Sequence, residues 1–205
     1  MRVKKFWGLI LIFALLLIAF DVNDAYAKTK RRSRKSHSSK TTQVERKAKA
    51  HRHNNRTAQI KSIVKLFKEV NPALSNHDAE SYANYILEAC SKYNQEPFAI
   101  AALIVHESTV NTKAVSRGGD YGLMQVRWKY HKNHITRDYK SIKHAKDMLT
   151  HPRENILIGT KIFADYRGSK DINAGVRGYS SGNTRLVNKV NATMSKLESY
   201  YNKFN

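Results

Sequence analysis

Residues 97–105, Pro-Phe-Ala-Ile-Ala-Ala-Leu-Ile-Val, are apolar on every side of a helix. Such a helix has no face to offer to water, so other elements must cover it all round. Pro97 suits its first turn, where the missing N–H costs nothing. Glu107 stands where the apolar run ends. A carboxylate there faces partial desolvation, which favours the neutral acid and lifts its pKa above the ordinary value of about 4.3.

The segments around this helix have helical period. Ile60, Ile63, Val64 and Phe67 form one apolar stripe. A second helix starts at Ser75-Asn76, has Asp78 and Glu80 near its positive end, and turns Tyr82, Ile86 and Ala89 inward. It also carries Cys90, the only cysteine, which reads as a buried, inert thiol in a chain without an internal disulfide. Between Asn111 and His134 the chain is rich in Gly, Arg and Tyr without clear period, so a loop with a short β-hairpin is expected. Pro152 opens another helix with Ile156, Leu157, Phe163 and Tyr166 as core contacts. The last helix opens near Asn183 and carries Leu186, Val187, Val190, Met194, Leu197 and Phe204 at spacings of three and four. The expectation is a single, mainly α (α+β) domain over residues 57–205, with the loop or hairpin region beside a cleft. A domain of this length buries about two-thirds of its unfolded surface.

The N-terminal part reads differently. Arg2, Lys4 and Lys5 precede an apolar run from Phe6 to Phe20, and Ala25-Tyr26-Ala27 supplies small residues two apart beyond it. That is the layout of a secretory signal peptide over residues 1–27, cut after Ala27. The run is shorter than the roughly 20 residues of a spanning helix, which favours cleavage over a retained anchor. Residues 28–56 hold twelve Lys/Arg against the single Glu45, so +11 of the net charge of +21 sits there. With no aromatic residue and only Val44 and two alanines as apolar residues, this stretch is expected to be a disordered cationic arm. Its charge suits anionic polymers, and the export signal favours those of the cell envelope over nucleic acid. His51 and His53, and His131 and His134 at i, i+3, have no cysteine or clustered carboxylates beside them to make a metal site, and no cofactor is expected.

Short motifs then follow Glu107-Ser108 in order: Ala114-Val115-Ser116, Gly122-Leu123-Met124-Gln125, Asn155-Ile156 with Gly159, and Gly175 through Tyr179 with Gly182. Ser116 lies nine residues after Glu107, and Gln125 eighteen. Over roughly residues 70–200 this resembles the soluble lytic transglycosylase family of the lysozyme superfamily. Asp120-Tyr121-Gly122-Leu123-Met124-Gln125 looks most like the small members that accompany secretion systems, pili and phage particles, which makes such components possible partners.

The resemblance implies a lysozyme-like fold and roles for particular residues. Glu107 matches the sole catalytic acid, which would protonate the bond between N-acetylmuramic acid and N-acetylglucosamine. It would then act as base toward the muramyl 6-hydroxyl, giving a 1,6-anhydro product. A carboxyl group still protonated near neutral pH is what such a cleavage requires. Ser116 and Gln125 match positions that hydrogen-bond the substrate or the acid. Met124 matches a subsite residue, and Tyr179 matches the tyrosine whose hydroxyl orients the acid; by residue type, Tyr121 and Trp128 are candidates for stacking on sugar or for core packing. Asn155 corresponds to a structural position; Asp120, within the 120–125 loop, reads as a loop-bracing or solvated residue, and His106, on a different helix face from Glu107, as a packed one. The sequence Gly178-Tyr179-Ser180 departs from the family's Ala-Tyr-Asn, and Val110 replaces an aromatic residue or Gly. Two alternatives stay open: a hydrolytic muramidase in which Asp120 or another acid positions water, and a non-enzymatic cationic binder of the cell wall.

Overall fold

The structure, a computed structural model, describes residues 55–205. The expected signal segment, and the arm as far as residue 54, lie outside the described residues. Asn55 and Arg56, counted above with the arm, already belong to the first helix, α1 (residues 55–70). Arg56 Nη2 donates to Asn84 Oδ1 on the next helix at 2.9 Å.

Helix α1 buries Ile63, Leu66 and Phe67, with Ile60 and Val64 partly covered. Helix α2 (Asn76–Tyr93) is capped by Ser75, whose hydroxyl accepts from the Asp78 N–H at 2.9 Å. It stops at Asn94, which takes the left-handed conformation that Asn tolerates better than most residues. Helix α3 (Pro97–Ser108) is capped by Glu96, which accepts from the Ala99 N–H at 2.6 Å, and is buried without interruption from Phe98 to Val105. It packs against α2 on one side and α7 (Thr184–Phe204) on another. Each of its large side chains contributes about 1.5–3 kcal/mol by leaving water.

The segment read as a loop with a short β-hairpin holds that hairpin and, beyond the expectation, a helix. Strands β1 (Asp120–Tyr121) and β2 (Val126–Arg127) pair antiparallel, with Asp120 opposite Arg127 and Tyr121 opposite Val126. Helix α4 (Trp128–Asp138) follows at once. It gives no periodic signal because Ile135 is its only buried residue. A 3₁₀ turn, Ala145–Leu149, leads to α5 (Pro152–Arg167), which packs on α2 and on α6 (Ile172–Tyr179). Asp171 and Asn183 cap α6 and α7 through their side chains.

Two expected core contacts do not form. Tyr166 is 50% exposed and Phe204 41% exposed, the first at the rim of a cleft and the second on the last helical residue. Cys90 is buried, and loss of water around it pushes its thiol well above the ordinary value, so it stays a thiol at neutral pH.

Candidate active site

Glu107 is placed by the way α3 ends. Thr109 and Val110 both have positive φ, 52° and 59°, a conformation rare for β-branched residues. Their strain costs on the order of 1–3 kcal/mol each. It is held by the helix-closing bond of the Thr109 N–H to Val105 O and by tertiary contacts: Val110 is buried, and Asn71 Nδ2 donates to the Val110 carbonyl at 3.2 Å. The chain therefore turns away at Thr109, two residues past Glu107, whose carboxyl is left at the negative end of α3. Burial, helped by the negative charge of Asp120, pushes that carboxyl up to about 7. Among the described residues it makes no ion pair or side-chain hydrogen bond.

Asp120 shares the cleft and has the opposite fate. Arg127 Nε donates to its Oδ1 at 2.5 Å, and Arg127 Nη2 to its Oδ2 at 2.8 Å. Ser116 Oγ donates to Oδ2 at 2.7 Å and itself accepts the N–H groups of Gly118 and Asp120. Hydrogen bonding from Arg127, ahead of that from Ser116, lowers the Asp120 carboxyl below its ordinary range despite partial burial. Asp120 is thus a fixed anion, and Glu107 a carboxyl that exchanges its proton near neutral pH.

The turn between the strands is Gly122-Leu123-Met124-Gln125, closed by the Gln125 N–H on Gly122 O at 3.1 Å. Gly122 has φ +76°, and a Cβ there would fall 2.5 Å from Asn155 Nδ2, so only glycine fits. Asn155 is fully buried and holds the turn from both sides. Its Oδ1 accepts the Met124 N–H at 2.8 Å, and its Nδ2 donates to Tyr121 O at 2.8 Å. Gly159, one turn along α5, leaves the space that Met124 fills; a Cβ there would stand 2.5 Å from Met124 Cβ. These contacts explain physically why Gly122, Met124, Asn155 and Gly159 occur together.

The cleft, of about 610 Å³, runs from Glu107 and the hairpin along α4, α5, the end of α6 and the start of α7. Of the expected site residues, Glu107, Gln125 and Tyr179 line it. Gln125 Nε2 donates to Ala114 O and Gly122 O, so its amide oxygen is the group left for the cleft. The Tyr179 hydroxyl does not bond to Glu107; it donates to Met124 O at 2.6 Å and so fixes the turn. Burial, and next the charge of Glu107, raise this phenol well above its ordinary range.

The remaining expected site residues make other contacts. Met124 is fully buried under the turn, wedged over Gly159, and its side chain does not reach the cleft. Tyr121 alternates with Asp120 along β1 and does not line the cleft. Ser116 spends its hydroxyl on bracing Asp120. His106, read as packed, lines the cleft while its Nε2 meets Thr193 Oγ1 at 2.9 Å.

Sequence reasoning missed Arg127, Tyr130, Arg185 and Lys189, all at the cleft. Only Arg127 had a usable signal, its cross-strand register with Asp120 in a hairpin closed by four residues. No three or more His, Cys, Asp or Glu among the described residues are grouped to hold a metal ion.

The family model for the transglycosylase SLT domain matches residues 84–202, from within α2 almost to the end of α7. That span takes in Glu107, the braced hairpin, Asn155 and Tyr179, and with them the whole cleft. The chain belongs to the SLT family of lytic transglycosylases, lysozyme-like enzymes that act on peptidoglycan.

Proposed function

We propose that this enzyme cleaves the β-1,4 bond between N-acetylmuramic acid and N-acetylglucosamine and leaves a 1,6-anhydro-muramyl end. Glu107 gives its proton to the glycosidic oxygen as the C1–O bond breaks, and N-acetylglucosamine leaves as an alcohol. The carboxylate so formed takes the proton of the muramyl 6-hydroxyl as O6 bonds to C1. The acid is regenerated, and no water is consumed. The attack is intramolecular, so the nucleophile is already tethered beside the reacting carbon. Gln125 offers its amide oxygen to a sugar hydroxyl.

One observation carries this reading: a single proton-exchanging carboxyl in the cleft, Glu107 at about 7, beside an Asp120 that Arg127 and Ser116 keep ionised. Hydrolysis needs a second carboxyl to activate water or to attack the sugar. Asp120 is the carboxylate that a hydrolytic muramidase would use, and its charge does act on Glu107. With both oxygens engaged by Arg127 and one also by Ser116, its basicity is spent before water arrives. Mass spectrometry of digested sacculi decides between the two. Anhydro ends are about 18 Da lighter than reducing ends, the mass of the water not added. Predominantly reducing ends would establish the muramidase reading.

The place of action belongs to the same proposal. Export through residues 1–27, and attachment of the arm to anionic envelope polymers, would bring the cleft to the cell wall. Components of a secretion system or pilus remain candidate partners through the likeness of residues 120–125 to small members of the family.

A further inference from the structure

We propose that Arg185 and Lys189, on the first turns of α7, form a subsite for a carboxylate carried by the muramyl residues of the strand. The proposal rests on the glycan reading above and deepens it by saying which part of the polymer this end of the cleft selects.

Both residues line the cleft, and both are exposed. They stand four apart on one face of α7, where like charges repel. Arg185, in the first turn, also meets the partial positive charge of the helix N-terminus, which disfavours cations. Neither forms an ion pair among the described residues, in contrast to Arg127 with Asp120 and Lys196 with Glu69. The fold gains nothing from this arrangement. An arriving anion would relieve both penalties.

The charge balance of the cleft points the same way. Its acids are Glu107 and Asp120, and Asp120 is already paired with Arg127. Arg185 and Lys189 are therefore uncompensated. Burial and the Asp120 charge, not these two cations, set the proton affinity of Glu107. The two cations are placed to bind rather than to take part in proton transfer. His106, next to Glu107 on α3, feels the Lys189 charge, which puts Lys189 beside the end of α3.

The sugars of the glycan backbone are neutral. Its anions are the carboxyls of the peptide stem or, where the stem has been removed, the lactyl carboxylate of the muramyl ring. Both sources present the same group. Exposed Tyr130 of α4 and Tyr166 of α5 also line the cleft and offer flat faces to sugar rings. The strand then lies with rings on tyrosine and acidic substituents toward α7.

The test compares kcat/KM on strands with free stem carboxyls, strands with amidated stems, and denuded strands that keep only the lactyl carboxylate. Denuded strands whose lactyl carboxyl is amidated, which keep the cleavable bond without the charge, are the neutral reference. Exposed charge pairs are weak, so two of them should give the wild type about three- to tenfold preference for the carboxylate-bearing substrate. Arg185→Gln/Lys189→Gln should bring that preference close to one, and Arg185→Lys/Lys189→Arg should keep it. Sensitivity confined to stemmed strands assigns the carboxylate to the peptide. Sensitivity on denuded strands assigns it to the lactyl group. The proposal is overturned if the double Gln variant keeps the wild-type preference, if the wild type has none on any strand, or if all substrates lose activity equally. Dissociation constants for soluble muropeptides with free and amidated stems decide the subsite even if no strand is cleaved. In that case it is the proposed reaction that fails.

Discussion

Asp120→Asn tests the coupling on which the proposed chemistry depends. Glu107 climbs from an ordinary 4.5 to about 7, with burial the larger cause and the Asp120 charge the smaller. Removing that charge should return less than half of the climb, or roughly one pH unit. The general acid must be protonated, so kcat/KM falls tenfold per pH unit above its pKa. In the wild type the alkaline limb should be centred near pH 7. In Asp120→Asn it should move to about pH 6, so that at pH 7 the protonated fraction drops from about one half to about one tenth, a fivefold loss. At pH 5 the two proteins should agree within about twofold, since Glu107 is then mostly protonated in both. The one acceptor oxygen of Asn can still take the bonds from Ser116 and Arg127 Nη2, while that from Arg127 Nε is lost, so the hairpin should persist with a weaker clasp. An unpaired Arg127 would lower Glu107 further, and Asp120→Asn/Arg127→Gln separates that contribution. Release of dye from labelled sacculi between pH 4 and 9 gives the profiles. A limb that does not move, or moves to higher pH, would refute the coupling. Loss of activity at every pH would make Asp120 the second catalytic carboxylate and favour hydrolysis.

Glu107→Gln should reduce cleavage at least a thousandfold, because the only proposed proton donor is gone, as read by turbidity of sacculi. The same change should raise stability at alkaline pH. The folded-state pKa is raised, so the wild type's relative stability is fully present below pH 4.5 and lost as pH rises through about 7. Thermal melts should thus favour the variant by about 2–3 kcal/mol at pH 8 and show no difference at pH 4. Asn155→Ala leaves the Met124 N–H without its partner and removes the side-chain bond to the Tyr121 carbonyl, and should cost about 2–4 kcal/mol in denaturant unfolding, with activity falling as the hairpin loosens. Deleting residues 28–53 should weaken cosedimentation with anionic sacculi at low salt while barely changing cleavage of soluble strands; equal binding at low salt would assign the arm another purpose.

The parts of the fold legible in sequence are those with strong local signals. Ser75, Pro97, Pro152 and Asn183 mark helix starts because capping and proline geometry act over three or four residues. The core faces of α1, α2 and α7 follow from apolar period, and the burial of α3 from its lack of polar residues. Helix α4 escaped because its faces are nearly all polar, and α6 because its eight residues are too few for a clear period.

At the site, the sequence alone determined that Glu107 ends an apolar helix and that Gly122, Gln125, Asn155, Gly159 and Tyr179 belong to one pattern. It determined too that charge is concentrated before residue 57. Tertiary structure alone decided what each of these touches. Met124 is a wedge rather than a subsite residue because Gly159, thirty-five positions away, leaves room for it. Tyr179 holds the Met124 carbonyl rather than Glu107 because α6 ends under the turn. Asp120 is a clamped anion because β-register sets Arg127 opposite it. Arg185 and Lys189 reach the cleft because α7 packs along α3. A hydrophobic pattern reports which face is buried, whereas partners and proton affinities depend on distances across the chain that no local spacing encodes.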